Sequence, residues 1–203
     1  MQMKISRRNS NMAKKMTNPT KVVTGVNTRW SYANVWEPKA GQDGGKEKYS
    51  VSLIIPKSDT VTIQKIKAAI QAAYEEGAGK LKGNGKSVPA LAAIKTPLRD
   101  GDIERPDDEA YANAYFVNAN SITAPEIVDA DRQPILTHSE VYSGVYGRAS
   151  INFYAYNTGT ARGIACGLGN LQKLRDGEPL GSRSSAEDDF ADLDDEDDDD
   201  FLN

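Results

Sequence analysis

The chain has 203 residues, 27% of them charged, with no apolar run near the length of a membrane span. One cysteine, Cys166, and one histidine, His138, exclude a disulfide framework and a metal site of clustered cysteine and histidine, and a reducing cytosol is the expected setting. The net charge of -4 conceals a polarity: residues 1–15 carry five basic and no acidic side chains, residues 16–186 carry 20 basic and 18 acidic, and residues 187–203 carry 11 acidic and none basic.

Residues 1–20 are polar, basic and unpatterned, which is expected of a disordered segment. They contain no apolar h-region and are not read as a secretory signal. MAKKMTNPT, from Met12, has the form of a normal start, and the first eleven residues then read as an upstream extension or a tag remnant. KVVTGVNTRWSYANVW (21–36) is rich in β-branched and aromatic residues and predicts one or two strands. GQDGGKEK (41–48) is a loop. YSVSLIIPK (49–57) alternates on Tyr49, Val51, Leu53 and Ile55 and stops at Pro56, so it pairs with the preceding stretch as a long hairpin. DTVTIQKIKAAIQAAYEEGAGK (59–80) predicts a helix capped by Asp59 or Thr60, with Ile63, Ile66, Ile70, Ala73 and Tyr74 at helical spacing and Gly77 at its end. Residues 83–110 form a long, mostly irregular connection with room for a short helix, a length that marks functional or disordered segments. YANAYFVNANS (111–121) is a strand, and PEIVDADRQPIL (125–136) a hairpin turning at Asp129–Asp131. VYSGVYGRASINFYAYN (141–157) is a long strand that pairs with TARGIACGLG (160–169) across Asn157–Gly159. NLQKLRDGEPL (170–180) closes the domain as a short helix or turn. The resulting organisation is a mainly β domain over 21–181, a small elaborated barrel with one inserted helix, between a disordered basic segment (1–20) and a disordered acidic tail (182–203).

Side chains alternate faces along a strand. In 141–157 the odd positions, Val141, Ser143, Val145, Gly147, Ala149, Ile151, Phe153 and Ala155, are small or apolar and fit a core. The even positions present Tyr142, Tyr146, Arg148, Asn152, Tyr154 and Tyr156. Aromatic rings stack on bases with little sequence preference, at about 1–3 kcal/mol per base, and arginine meets phosphate or stacks itself, so this face has the chemistry of a single-stranded nucleic-acid platform. Half-exposed sheet tyrosines are common, and it is the group, on a basic body, that points to binding. The first strand adds Arg29, Trp30, Tyr32 and Trp36. The three aromatics are expected to share a face, and each tryptophan fits a core or a stacking role equally well. Lys46 and Lys48 follow in the hairpin, where a phosphate could lie.

Six acids crowd DGDIERPDDE (100–109), which leaves the rest of the body basic. A basic body with an acidic tail is the charge pattern of a nucleic-acid binder carrying its own competitor. DGDIERPDDE lacks the ligand spacing of a calcium loop and reads as an acidic solvated loop. KLKGNGKS (80–87) has the Gly-Lys-Ser of a phosphate-binding loop, but Lys80 stands where that pattern needs glycine, and a helix precedes it where the pattern needs a strand. His138 forms no nucleophile–base set with Ser139. Cys166 falls on the apolar parity of its strand with Ile164 and Leu168 and reads as a buried small hydrophobe. No enzyme chemistry, metal or cofactor is expected.

The strings TPLRDGD (96–102), YFVNANS (115–121), IVDADRQP (127–134), VYSGVYGRASINFYAY (141–156) and GIACGLGNLQKLRDGEPLG (163–181), followed by SAEDDF (185–190), resemble bacteriophage single-stranded DNA-binding proteins, across roughly residues 17–190. The resemblance implies an OB-fold barrel, no catalysis, and a replication or recombination role in the cytoplasm of an infected bacterium. It carries over no individual DNA contacts. The acidic end, with Phe190, Asp197, Asp198, Asp199, Asp200, Phe201 and Leu202, is similar to the tails of bacterial and phage single-strand binders, and a polyanionic tail is expected to compete for a basic groove and recruit partners through Phe201 and Leu202. RNA binding and a non-catalytic structural role in the phage are the alternatives, and no segment sets an oligomeric state.

Overall fold

The computed structural model describes residues 18–40 and 45–181. The segment 1–17, residues 41–44 and the tail 182–203, with every tail residue singled out above, lie outside the described residues.

The elements run β1 (Lys21–Val23), β2 (Thr28–Lys39), β3 (Lys48–Pro56), α1 (Thr60–Glu76), α2 (Ala78–Lys82), β4 (Leu98–Asp100), α3 (Gly101–Glu104), β5 (Ala114–Ser121), β6 (Ile127–Val128), β7 (Tyr146–Asn157) and β8 (Arg162–Arg175). Neighbouring strands follow β7-β2-β3-β5-β8, and β8 returns to β7, so the sheet closes on itself. The β5–β8 pair is parallel and the other pairs of the ring are antiparallel. Five strands closed in this order make the small OB-type barrel expected from the sequence. β1 adds to β7, β4 to β5 and β6 to β8.

α1 sits between β3 and β5 in the chain and packs on β7 and β1. The Asp59 carboxylate caps it, accepting from Thr62 N at 3.1 Å, and Ile63, Ile66, Ile70 and Ala73 are buried as their spacing predicts. Gly77 ends it where a Cβ would collide with Ala155. The core gathers Trp30, Val51, Leu53 and Ile55 with Ala149, Ile151, Phe153, Cys166 and Leu171.

Three expectations are corrected. The strand read over 141–157 begins at Tyr146; Val141–Val145 is a turn with Gly144 at φ 127°, tied to β2 by Gly144 N to Trp30 O at 2.7 Å. Its parity holds all the same, because Val141, Val145, Gly147, Ala149, Ile151, Phe153 and Ala155 are all buried. Residues 170–175 are strand, not helix or turn: Leu171 is buried opposite Ala149, and Ile127–Val128 pairs with Leu171–Gln172 from the other side. Finally, Trp30, Tyr32 and Trp36 do not share a face. Tyr32 has φ 47° within an irregular stretch of the β2–β3 register, which turns its ring outward while Trp30 stays inward.

Candidate nucleic-acid interface

The outer wall of β2, β3 and β5 carries an open depression of about 580 Å³ lined by Tyr32, Ser50, Val51, Ser52, Arg105 and Asn118. Tyr32 is 55% exposed. A tyrosine at positive φ is strained, and such strain gathers where a side chain must be aimed against local preference. Ser50 and Asn118 reach the wall by ordinary alternation, between buried Val51 on β3 and buried Val117 and Ala119 on β5.

The 83–113 connection folds over the lower part of this wall. Ile54, Tyr111, Ala114 and Phe116 make a small second core there, and the Tyr111 hydroxyl reaches Ser52 Oγ at 3.0 Å. Arg105 lies over Tyr32, Tyr111 and Phe116 at 5.4, 5.1 and 5.7 Å from the ring centroids, and its Nη1 donates to the Tyr32 hydroxyl at 3.2 Å. Of the six acids expected to be a solvated loop, three, Asp100, Asp102 and Glu104, are paired, while Asp107 and Glu109 are exposed as expected. Lys57 Nζ donates to Asp100 at 2.9 Å and to Asp102 at 2.6 Å, and Arg99 pairs with Glu104. Asp102 also accepts from Asn113 N at 2.7 Å. The hydrogen bond from Lys57 and then that from Asn113 hold the Asp102 carboxyl below its usual range, and Arg99 does the same for Glu104. Pairing offsets the three acids that precede Arg105. A guanidinium, an outward ring and two small polar side chains thus face one hollow, which suits stacking on a base and contact with its phosphate.

The outward face of β7 places its residues less uniformly. Arg148 is exposed, and Tyr154 is 44% exposed beside Ala165 and near Gly167, so little shields its ring. Asn152 accepts from Thr20 Oγ1 at 2.9 Å, and Tyr156 is half-buried. Tyr142 and Tyr146 hold the chain that follows β8. Tyr142 donates to Gly177 O at 2.9 Å, and Arg175 and Arg29 lie over the Tyr146 ring at 3.9 and 5.4 Å. Arg29 also donates to Glu178 O at 2.7 Å. Tyr146 is half-buried, with both guanidinium groups over its ring. Stacking on bases is corrected for Trp30, which is fully buried and has no surface to offer. Trp36 is half-buried, donates from Nε1 to Val141 O at 3.3 Å and stacks on His138 at 4.4 Å. Lys46 and Lys48 are exposed on the β2–β3 hairpin.

Arg105, Ser50 and Asn118 were not singled out from the sequence. Asn118 and Asn120 alternate with Val117 and Ala119, a signal of an exposed polar face that could have been read. Arg105 gave none, because the exposed ring it holds, Tyr32, lies 73 positions away.

The family model described as "Enterobacter phage Enc34, ssDNA-binding protein" matches residues 20–202. Protein p50 of Acyrthosiphon pisum secondary endosymbiont phage 1 is 29% identical over 175 residues, covering 82% of this chain and 91% of its own. The solved single-stranded DNA-binding protein of bacteriophage Enc34, in complex with ssDNA, superposes with a TM-score of 0.65 at 26% identity, covering 81% of this chain and 91% of that one. The single-stranded DNA-binding protein gp2.5 of bacteriophage T7 shares the fold, with a TM-score of 0.55 at 16% identity, covering 85% of this chain and 93% of that one. A mainly β barrel closed in OB order, and a family match spanning nearly the whole chain, lead to one conclusion: the chain belongs to the Enc34-type family of phage single-stranded DNA-binding proteins.

Proposed function

We propose that the protein coats single-stranded DNA with little regard to sequence, in the cytoplasm of an infected bacterium during phage replication or recombination, and that the strand crosses the β2–β3–β5 wall. The observation that carries this placement is Tyr32, an outward aromatic ring at strained φ, held by Arg105 beside a polar hollow. The second and third strands of the barrel are β3 and β5, and that is the face on which OB-folds take oligonucleotides. A base stacks on Tyr32, a phosphate meets Arg105, and Lys46 and Lys48 extend the track along the hairpin. Anisotropy titrations with oligo-dT, oligo-U and matched duplex test the reading. Tighter binding of oligo-dT than of duplex, falling steeply with salt, supports it. Equal affinity for duplex would sink it, and tighter binding of oligo-U would move the ligand to RNA.

One observation favours a second path, over the β7 wall: Tyr154 is 44% exposed beside a small-residue neighbour strand, in line with Arg148 and Asn152. Tyr32→Ala and Tyr154→Ala separate the two, since only the wall that carries the strand loses affinity. Residues 197–202 serve as the hook for replication or recombination proteins, through four aspartates followed by Phe201 and Leu202. A pull-down from infected cells with the Phe201→Ala/Leu202→Ala protein should lose those partners. Recovery with virion proteins instead would favour a structural role.

A further inference from the structure

A second depression of about 580 Å³ lies where the β1–β2 turn meets the start of α1, lined in part by Val23, Val26, Val61, Lys65 and Arg148. It shares no lining residue with the Tyr32 hollow. Its three valines are unusually bare: Val23 is 50% exposed, Val26 43% and Val61 60%. Lys65 and Arg148 are exposed, and among the described residues neither is in an ion pair. Asp59 also faces the groove, but its carboxylate caps α1 through Thr62 N. An apolar floor beside two such cations fits a partner that presents a large apolar side chain among carboxylates.

The surface of the same chain carries that combination on α3. Ile103 is 76% exposed, yet the turn that bears it is clamped on both sides. Asp100 accepts from Asp102 N at 3.0 Å, Lys57 grips both of those carboxylates, and Arg99 pairs with Glu104. A side chain held out in this way loses little freedom when it binds. Asp107 and Glu109 stand four and six residues further on, both exposed, and among the described residues neither is in an ion pair. Two carboxylates beside the knob thus match two cations beside the groove.

Knob and groove adjoin. Pro56 and Ser58 line the groove, while Lys57 between them reaches across to Asp100 and Asp102 at the knob. Ile103 does not fill the groove of its own copy, of which it lines no part. A knob and a hole side by side on one surface suit an isologous contact, in which each copy fills the other and assembly closes at two. Head-to-tail growth needs them on opposite sides.

We infer that two copies of this chain pair across a two-fold axis near Lys57, with Ile103 of each seated on Val23, Val26 and Val61 of the other and Asp107 and Glu109 set against Lys65 and Arg148. The contact uses a surface separate from the Tyr32 hollow and forms without DNA.

Sedimentation velocity of the full chain over a concentration series, with no DNA present, tests the pairing. The parent should pass from one copy to two as concentration rises, and no further. Lys65→Glu/Arg148→Glu and Asp107→Lys/Glu109→Lys should each stay single, because like charges then meet in both halves of the contact. An equimolar mixture of these two variants should pair again, since each reversed knob meets a reversed groove and each native knob a native one. Recovery on mixing also shows that both variants are folded. Ile103→Ser should weaken the pair by about 100-fold in Kd, since two buried isoleucines are lost at once. A single copy at every soluble concentration, or a pair that both charge reversals leave intact, overturns the inference. Growth beyond two copies overturns the two-fold arrangement. Loss of pairing in the groove variant with no recovery on mixing overturns it too, and gives the groove another occupant.

Discussion

Arg105 lies over the ring of Tyr32, 5.4 Å from its centroid, and donates from Nη1 to its hydroxyl at 3.2 Å. The contact joins the 83–113 connection to β2 across 73 positions of sequence. If that ring stacks on a base, Tyr32→Ala weakens oligo-dT binding by about 1–3 kcal/mol, roughly 5- to 150-fold in Kd. Arg105→Ala should weaken it by a similar order, and Arg105→Lys should recover only part of the loss, because an ammonium neither stacks nor forks. Anisotropy at fixed salt measures all three.

The strain at Tyr32 predicts an inversion of the usual order of small residues. In an ordinary strand glycine is less stable than alanine. At φ 47° alanine keeps the Cβ penalty and glycine does not. Tyr32→Gly should therefore unfold at higher denaturant than Tyr32→Ala, by about 1 kcal/mol, while both bind DNA equally poorly. Paired urea titrations read the difference.

Lys46 and Lys48 are assigned to phosphate. Each phosphate contact on a single strand contributes about -0.7 to the slope of log K against log salt, so Lys46→Ala/Lys48→Ala should flatten that slope by about 1.4. An unchanged slope would remove the hairpin from the track.

Trp30 is fully buried, and its indole N–H has no hydrogen-bond partner among the described residues. Trp30→Phe loses some volume but also removes an unsatisfied donor, an omission that relieves about 1–3 kcal/mol. It should be near neutral in stability, whereas Trp30→Ala costs about 3–5 kcal/mol. Trp30→Phe should bind oligo-dT as well as the parent does, which separates a core role from stacking.

Acid should loosen the 100–113 segment before the barrel. Asp102 and Glu104 have lowered folded pKa values, caused by Lys57 and Arg99 respectively. A lowered folded pKa gives a contribution that is full above the ordinary carboxylate value and is lost as pH falls through the folded one. Lys57 is raised, chiefly by Asp100 and Asp102, so its share fails only in strong alkali. Hydrogen exchange, corrected for intrinsic rates, should rise in 100–113 relative to β3 below about pH 4, and Asp102→Asn should show the same loosening at pH 7.

The barrel was legible because β7 keeps strict alternation. The two irregularities in its pairing with β8, Tyr146 with Arg175 but Gly147 with Lys173, and Ala149 with Leu171 but Ile151 with Leu168, both place the extra residue on β8, so the inward positions of β7 never change sides. The site was less legible for reasons of the same kind. Tyr32 left its expected face through one backbone angle that no side-chain pattern announces. Arg105 acquires two rings from the segment that follows it, Tyr111 and Phe116, but the third, Tyr32, is 73 positions away on β2. NLQKLR became strand because β6 and β7 supply partners on both its edges, a tertiary effect that outweighs local preference. The β7 tyrosines were read as one group, yet Tyr142 and Tyr146 anchor the chain after β8 while Tyr154 stays open.

β8 pairs with β7, β5 and β6 and brings Ile164, Cys166, Leu168 and Leu171 into the core. Since this strand comes last, no earlier part of the chain can close the barrel during synthesis. A chain that ends before Arg162 lacks β8 and leaves edges of β5 and β7 open, the kind of template that seeds aggregation. Folding must therefore await almost the entire domain, at the slower rates that long-range strand pairing imposes.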